Sequence, residues 1–113
     1  MNDKNICVGD VFQRRLNGEP SGLLVTDVII KIDSPESFHA VSVLSECSSE
    51  TLHPWGGSFQ SKEIERVIGH WEADRIINAL REGMKFTGLQ LWSEELFTKL
   101  QTEMEQQSHK EKI

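Results

Sequence analysis

Apolar residues recur first at every second position and then, from about residue 70, at helical spacing. Val11-Phe12-Gln13-Arg14-Arg15-Leu16 follows the Gly9-Asp10 turn pair and predicts a first strand. Asn17-Gly18, a strong turn dipeptide, ends it, and Pro20-Ser21-Gly22 extends the loop. The second strand has the clearest pattern. Leu24, Thr26, Val28, Ile30 and Ile32 share one face at period 2, and Val25, Asp27, Ile29 and Lys31 form a mixed opposite face. Such a strand sets one face on a core and leaves the other half wet, which places Asp27 toward solvent. Asp33-Ser34-Pro35 ends it, and Phe38 to Leu44 predicts a third strand. After the polar Cys47-Ser48-Ser49-Glu50 connector, a fourth strand is expected around Phe59 and a short fifth at Ile64 to Ile68, closed by Gly69.

From His70 the period changes. Ala73, Ile76, Ile77, Leu80 and Met84 lie on one helical face, with Gly83 as the expected stop. Phe86 to Trp92 is interrupted by Gly88 and reads as a short strand or an extended connector. Ser93 stands at an N-cap position with Glu94 and Glu95 in the first turn, where carboxylates favour the helix dipole. Leu96, Phe97, Leu100 and Met104 then form a narrow apolar stripe. Beyond Met104 there is little left to bury, so a frayed or disordered polar tail is expected over 105–113.

The order of elements predicts one α+β domain over residues 1–104, β-rich in 6–69 and helical in 70–104. Four or five short strands with closely spaced turns predict a small, strongly bent antiparallel sheet or an SH3-like barrel, with two C-terminal helices packed on it. The Val8-Gly9-Asp10-Val11-Phe12 opening and the Ile64-Glu65-Arg66-Val67-Ile68-Gly69 close resemble the corresponding parts of small SH3-like barrels. That resemblance concerns fold and specifies no activity.

Composition narrows the functional classes. The chain has 113 residues, 12 Lys and Arg against 18 Asp and Glu, and a formal charge of −6. An acidic surface opposes general binding to nucleic acid or to anionic membranes. Residues 1–69 hold 6 basic and 10 acidic side chains and residues 70–113 hold 6 and 8, so the acid excess is not gathered into a tail. Arg14, Arg15, Lys62, Arg66, Arg75, Arg81 and Lys85 are interleaved with Glu63, Glu65, Glu72, Asp74 and Glu82, a pattern of ordinary ion pairs. The polar start Met1-Asn2-Asp3-Lys4-Asn5 lacks a secretory h-region, and no apolar run approaches a membrane span. With only Cys7 and Cys47 in the chain, a cytoplasmic location is expected, and their spacing leaves open whether they pair.

The spacings point to no catalytic, metal or cofactor site. Cys7, Cys47, His39, His53, His70 and His109 offer neither a Cys-x-x-Cys nor a His-x-x-x-His pair, the spacings that let one turn present two ligands. Gly57-Ser58-Phe59 lacks the second glycine of a nucleophile elbow, and Gly56-Gly57 is not followed by the Lys-Ser/Thr of a phosphate loop. Cys47 with His39 or His53 is the best thiol–imidazole pair on offer.

His53-Pro54-Trp55-Gly56-Gly57-Ser58-Phe59 stands out, because Pro and paired Gly around Trp55 favour a tight turn carrying an aromatic tip. Trp55 either anchors an interface or folds back over the sheet end. The expected function is a non-enzymatic module that binds protein through His53, Trp55 and Phe59. An acidic inhibitor or adaptor of the kind phages and other mobile elements encode is one form of it. The acid excess predicts a partner with a basic surface. An alternative is a small-molecule binder with an apolar pocket between sheet and helices lined by Phe38, Phe59, Trp71 and Trp92. The Leu96, Phe97, Leu100 and Met104 stripe either packs on the sheet or makes a homodimer.

Overall fold

The computed structural model describes residues 6–44 and 50–111, and side chains as far as 106. Among the described residues, five strands precede two helices: β1 (Asp10–Arg15), β2 (Leu24–Ser34), β3 (Ser37–Ser42), β4 (Gly57–Gln60), β5 (Arg66–His70), α1 (Ala73–Thr87) and α2 (Glu94–Glu111). All strands pair antiparallel in one sheet of order β4-β3-β2-β1-β5. The sheet is open rather than closed into a barrel, because β4 and β5 are its two edges and no ladder joins them. A 3-10 turn at Ser61–Glu63 starts the chain back from one edge to the other.

The turn read from Asn17-Gly18 is present. Asn17 (φ 58°) and Gly18 (φ 72°) both adopt the left-handed conformation, which these residue types tolerate best. The fifth strand lies two residues later than its apolar pattern implies, at Arg66–His70, and all its residues are exposed.

The second strand departs most from its sequence pattern. Ile29 pairs with Ala40, but Lys31 pairs with His39, so Ile30 is an extra residue and the ladder shifts there. A one-residue slip exchanges faces. Val28 therefore lies in the Val11–Val28–Val41 row on one face, whereas Ile32 faces with its partner Phe38 on the other. Neither face is wet at the centre, since Asp27, Val28 and Ile29 are all buried.

The reason is curvature. Phe12, Phe38 and Phe59, from β1, β3 and β4, share one face. Three strand spacings separate β1 from β4, about 14 Å in a flat sheet. The Phe12 and Phe59 ring centroids nevertheless lie 6.5 Å apart, and those of Phe12 and Phe38 5.3 Å apart. The sheet curls until these rings close over its concave side and cover Asp27.

The valine face continues into Leu52, which bridges to Val43. Leu52 lies against α1, whose Ala79 carbonyl accepts the Leu52 N–H at 3.0 Å. Gly83 does not stop α1. A Cβ at that position would lie 1.7 Å from the Leu52 carbonyl oxygen, so glycine is what lets helix and segment approach. The helix ends four residues later at Thr87 and is capped by Gly88 (φ 78°), whose N–H donates to the Met84 carbonyl. Residues 89–93 form an irregular connector and no strand. Ser93 caps α2 as its position predicts, its Oγ accepting the Leu96 N–H.

Phe97, Leu100 and Met104 are buried in the chain's own core, so three of the four stripe residues are consumed within the monomer, and Leu96 alone stays exposed. α2 continues to Glu111, through most of the stretch that composition marks as a polar tail. No helix among the described residues is long and apolar enough to cross a membrane.

Candidate functional site

The segment from Leu52 to Phe59 is held from three directions. The His53 N–H donates to the Ser42 carbonyl at the end of β3, and the Leu52 N–H donates to Ala79 of α1. The indole Nε1–H of Trp92 donates to the Pro54 carbonyl at 2.9 Å, tying in the entry to α2. Pro54 is buried, and its ring lies beside Gly83. Within the loop, His53 Nδ1 accepts the Trp55 N–H at 3.1 Å.

These contacts leave Trp55 as the tip, 70% exposed. Of the two destinations its sequence context allowed, it takes the outward one. Phe86 is 64% exposed one helical turn beyond Gly83, and Leu91, next to Trp92, is exposed as well. The elements that fix the loop thus carry further uncovered apolar side chains. His53 lies beside Trp55, but Phe59 does not belong with them. Its ring packs on Phe12 and Phe38, with the Arg14 guanidinium 4.4 Å above it.

Phe38, Phe59, Trp71 and Trp92 do not line one pocket. Phe38 and Phe59 belong to the concave cluster. Trp71 carries the Arg75 guanidinium over its ring at 4.2 Å, whereas Trp92 stacks on Phe97 with centroids 5.5 Å apart. Arg81 covers the Phe97 ring and makes two hydrogen bonds to Glu94, of 2.6 and 2.8 Å. Those bonds, and then the cation's charge, hold the Glu94 carboxyl below its ordinary 4.5. Arg75 acts in the same way on Glu50.

Asp27 corrects the expectation that it faces solvent. It is fully buried, and its Oδ2 accepts a 2.6 Å hydrogen bond from Arg14 Nε. Its Oδ1 has no hydrogen-bond partner among the described residues. Arg14 and Phe12 share the face on which β1 pairs with Asp27, so register brings the ion pair under the aromatic cluster. Sequence reading misses the pair because the two residues lie thirteen apart, with only the β1–β2 hairpin to join them.

A second polar group escaped notice for the same reason. His39 Nε2 lies 3.0 Å from an Asp33 carboxylate oxygen, and Ser58 Oγ lies 3.4 Å from His39 Nδ1. No spacing motif signals this row, which depends on the pairing of β2, β3 and β4. Elsewhere Cys7 is half-buried and donates its N–H to Asp10. Cys47 lies outside the described residues, as does any pairing of it with a histidine. The side chain of His109 is likewise not described. Among the described residues no group of three or more His, Cys, Asp or Glu is placed to hold a metal ion.

The fold and the loop define a small α+β domain that presents an aromatic tip. Comparison with known proteins finds no matching family model, no matching curated protein and no matching solved structure.

Proposed function

We propose that this chain is a protein-binding module whose contact surface centres on Trp55. The observation that carries this reading is an outward tryptophan on a loop held by β3, α1 and the Trp92 indole. Tryptophan is the residue type most enriched among energetic anchors of interfaces. Ordering a flexible loop on binding lowers affinity, and a loop already tied in three directions avoids most of that loss. His53, bonded to the tip backbone, keeps the ring presented, and Phe86 and Leu91 extend the apolar area. Phe59 serves the concave core and is not part of the contact.

The acid excess of −6 favours a partner that meets the module with basic residues. Direct nucleic-acid binding is disfavoured by the same charge. The cations in the best position for it are also engaged: Arg14 with Asp27, Arg75 with Glu50 and Arg81 with Glu94. An inhibitor or adaptor role follows if the partner's own basic site is what the module covers.

The test is affinity capture with the immobilised full chain, run in parallel with Trp55→Ala and with a salt series. A specific protein retained by the wild type, lost with Trp55→Ala and weakened by salt is the expected result. Identical retention profiles for the two chains would refute the reading.

A further inference from the structure

The Ser58, His39 and Asp33 side chains meet on the face of the sheet opposite the aromatic cluster. Register explains why. His39 pairs with Ser58 across β3 and β4, the extra residue Ile30 brings Lys31 opposite His39, and Asp33 is itself an extra residue at a second shift of the ladder, between Ile32 and Ser34. Asp33 and Ser58 are exposed and His39 is half-buried. In the tautomer whose Nε2–H donates to the Asp33 carboxylate at 3.0 Å, the lone pair lies on Nδ1. The Ser58 hydroxyl, 3.4 Å away, donates to that lone pair.

The next pair along the same face is Ser37 with Gln60. These two form one wall of a polar groove of about 540 Å³, completed by Ser34, Glu36, Ser61 and Lys62. A hydroxyl, an imidazole and a carboxylate therefore stand in line one same-face residue pair from the wall of this open groove.

We propose that Ser58 is a reactive serine that accepts an acyl group from a small activated ester lodged in this groove. In the step, Ser58 Oγ attacks the ester carbonyl carbon while its proton passes to His39 Nδ1. The Oγ–C bond forms and the acyl C–O bond of the ester breaks. The departing alkoxide takes the proton back from His39, so an alcohol is released and Ser58 is left as an ester. Asp33 stabilises the imidazolium that exists between the two transfers. Gln60 accepts the Glu63 N–H with its side chain, which leaves its amide N–H groups as donors on the groove wall. Lys62 contributes the positive charge at the rim. The product is a modified serine, and turnover forms no part of the inference. It involves different residues from the Trp55 surface and stands or falls separately.

The experiment treats the full chain with p-nitrophenyl acetate, follows p-nitrophenolate release, and locates acetyl groups by peptide mapping. Ser58 is expected to be acetylated well ahead of Ser37 and Ser61, which share the groove and lack the histidine. Ser58→Ala should remove that adduct, His39→Gln should slow it about a hundredfold, and Asp33→Asn should slow it less. Ser58 labelling no faster than Ser61, a comparison that needs no variant, would overturn the proposal. So would undiminished labelling in a folded His39→Gln chain.

Discussion

Replacing Gly83 by Ala sets two physical effects of opposite sign against each other. In a solvent-facing helix, Gly→Ala stabilises by about 1 kcal/mol, because alanine loses less backbone entropy on folding. In α1 the added Cβ would lie 1.7 Å from the Leu52 carbonyl oxygen, well inside contact distance. Helix and segment must separate by more than an ångström, or the helix must bend. Overpacking of this sort costs about 1–3 kcal/mol. The Leu52 N–H to Ala79 bond, 3.0 Å long and at a buried residue, stretches or breaks, adding about 1–3 kcal/mol for groups left unpaired. Net destabilisation of about 1–5 kcal/mol, centred near 3, is therefore expected after the propensity gain is subtracted. Urea unfolding measures it directly, as a fall of about 1–2 M in midpoint at unchanged slope. Amide exchange at Leu52 should accelerate in the variant, since that N–H loses its acceptor. A Gly83→Ala chain as stable as the wild type, or more stable, would refute the close approach on which the loop's rigidity rests.

Three further outcomes follow from the packing. Arg14→Met should destabilise by about 3–5 kcal/mol in urea unfolding, because Asp27 is left charged and buried, and adding Asp27→Leu should recover most of the loss. A single variant within about 1 kcal/mol of wild type would contradict the buried pair. Glu94 titrates below its ordinary 4.5 in the fold, so its bond to Arg81 stabilises above that value and the effect is lost as pH falls through the lowered pKa. The melting-temperature difference between wild type and Glu94→Gln should therefore be largest near neutrality and shrink as pH falls below 4.5; a difference independent of pH from neutrality into strong acid would contradict the pairing. Leu100→Ala should cost about 2–5 kcal/mol with a melting temperature independent of protein concentration, as for a core residue; strong concentration dependence would instead assign the stripe to a dimer.

What the sequence conveyed of the fold was local. The Asn17-Gly18 turn, the Ser93 cap and the change of period near residue 70 each depend on a few neighbouring residues, and each stands where the pattern places it. What it concealed depends on pairing. The extra residue at Ile30 carries no local mark, yet it moves Ile32 to the face opposite Val28. Asp27 reads as a wet residue of an amphipathic strand until β1 brings Arg14 beside it and the sheet curls the phenylalanines over both. Gly83 looks like a helix stop in a list of residues, and only the approach of Leu52 explains it. Of the candidate surface, the Pro and Gly around Trp55 marked a tight turn but left open whether its ring points outward or back over the sheet, and the structure shows it outward. The inward turn of Phe59 was not legible, because it depends on strands drawn from three parts of the chain. The Ser58–His39–Asp33 row has the same origin.

The central claim is that Trp55 anchors a protein contact, and the affinity of a captured partner tests it most directly. Isothermal titration of that partner with wild type and with Trp55→Ala should show a loss of at least about 2 kcal/mol, close to 30-fold in Kd, with the variant's fold and stability unchanged. Equal affinity for the two chains would contradict the claim and assign the exposed tryptophan no part in recognition.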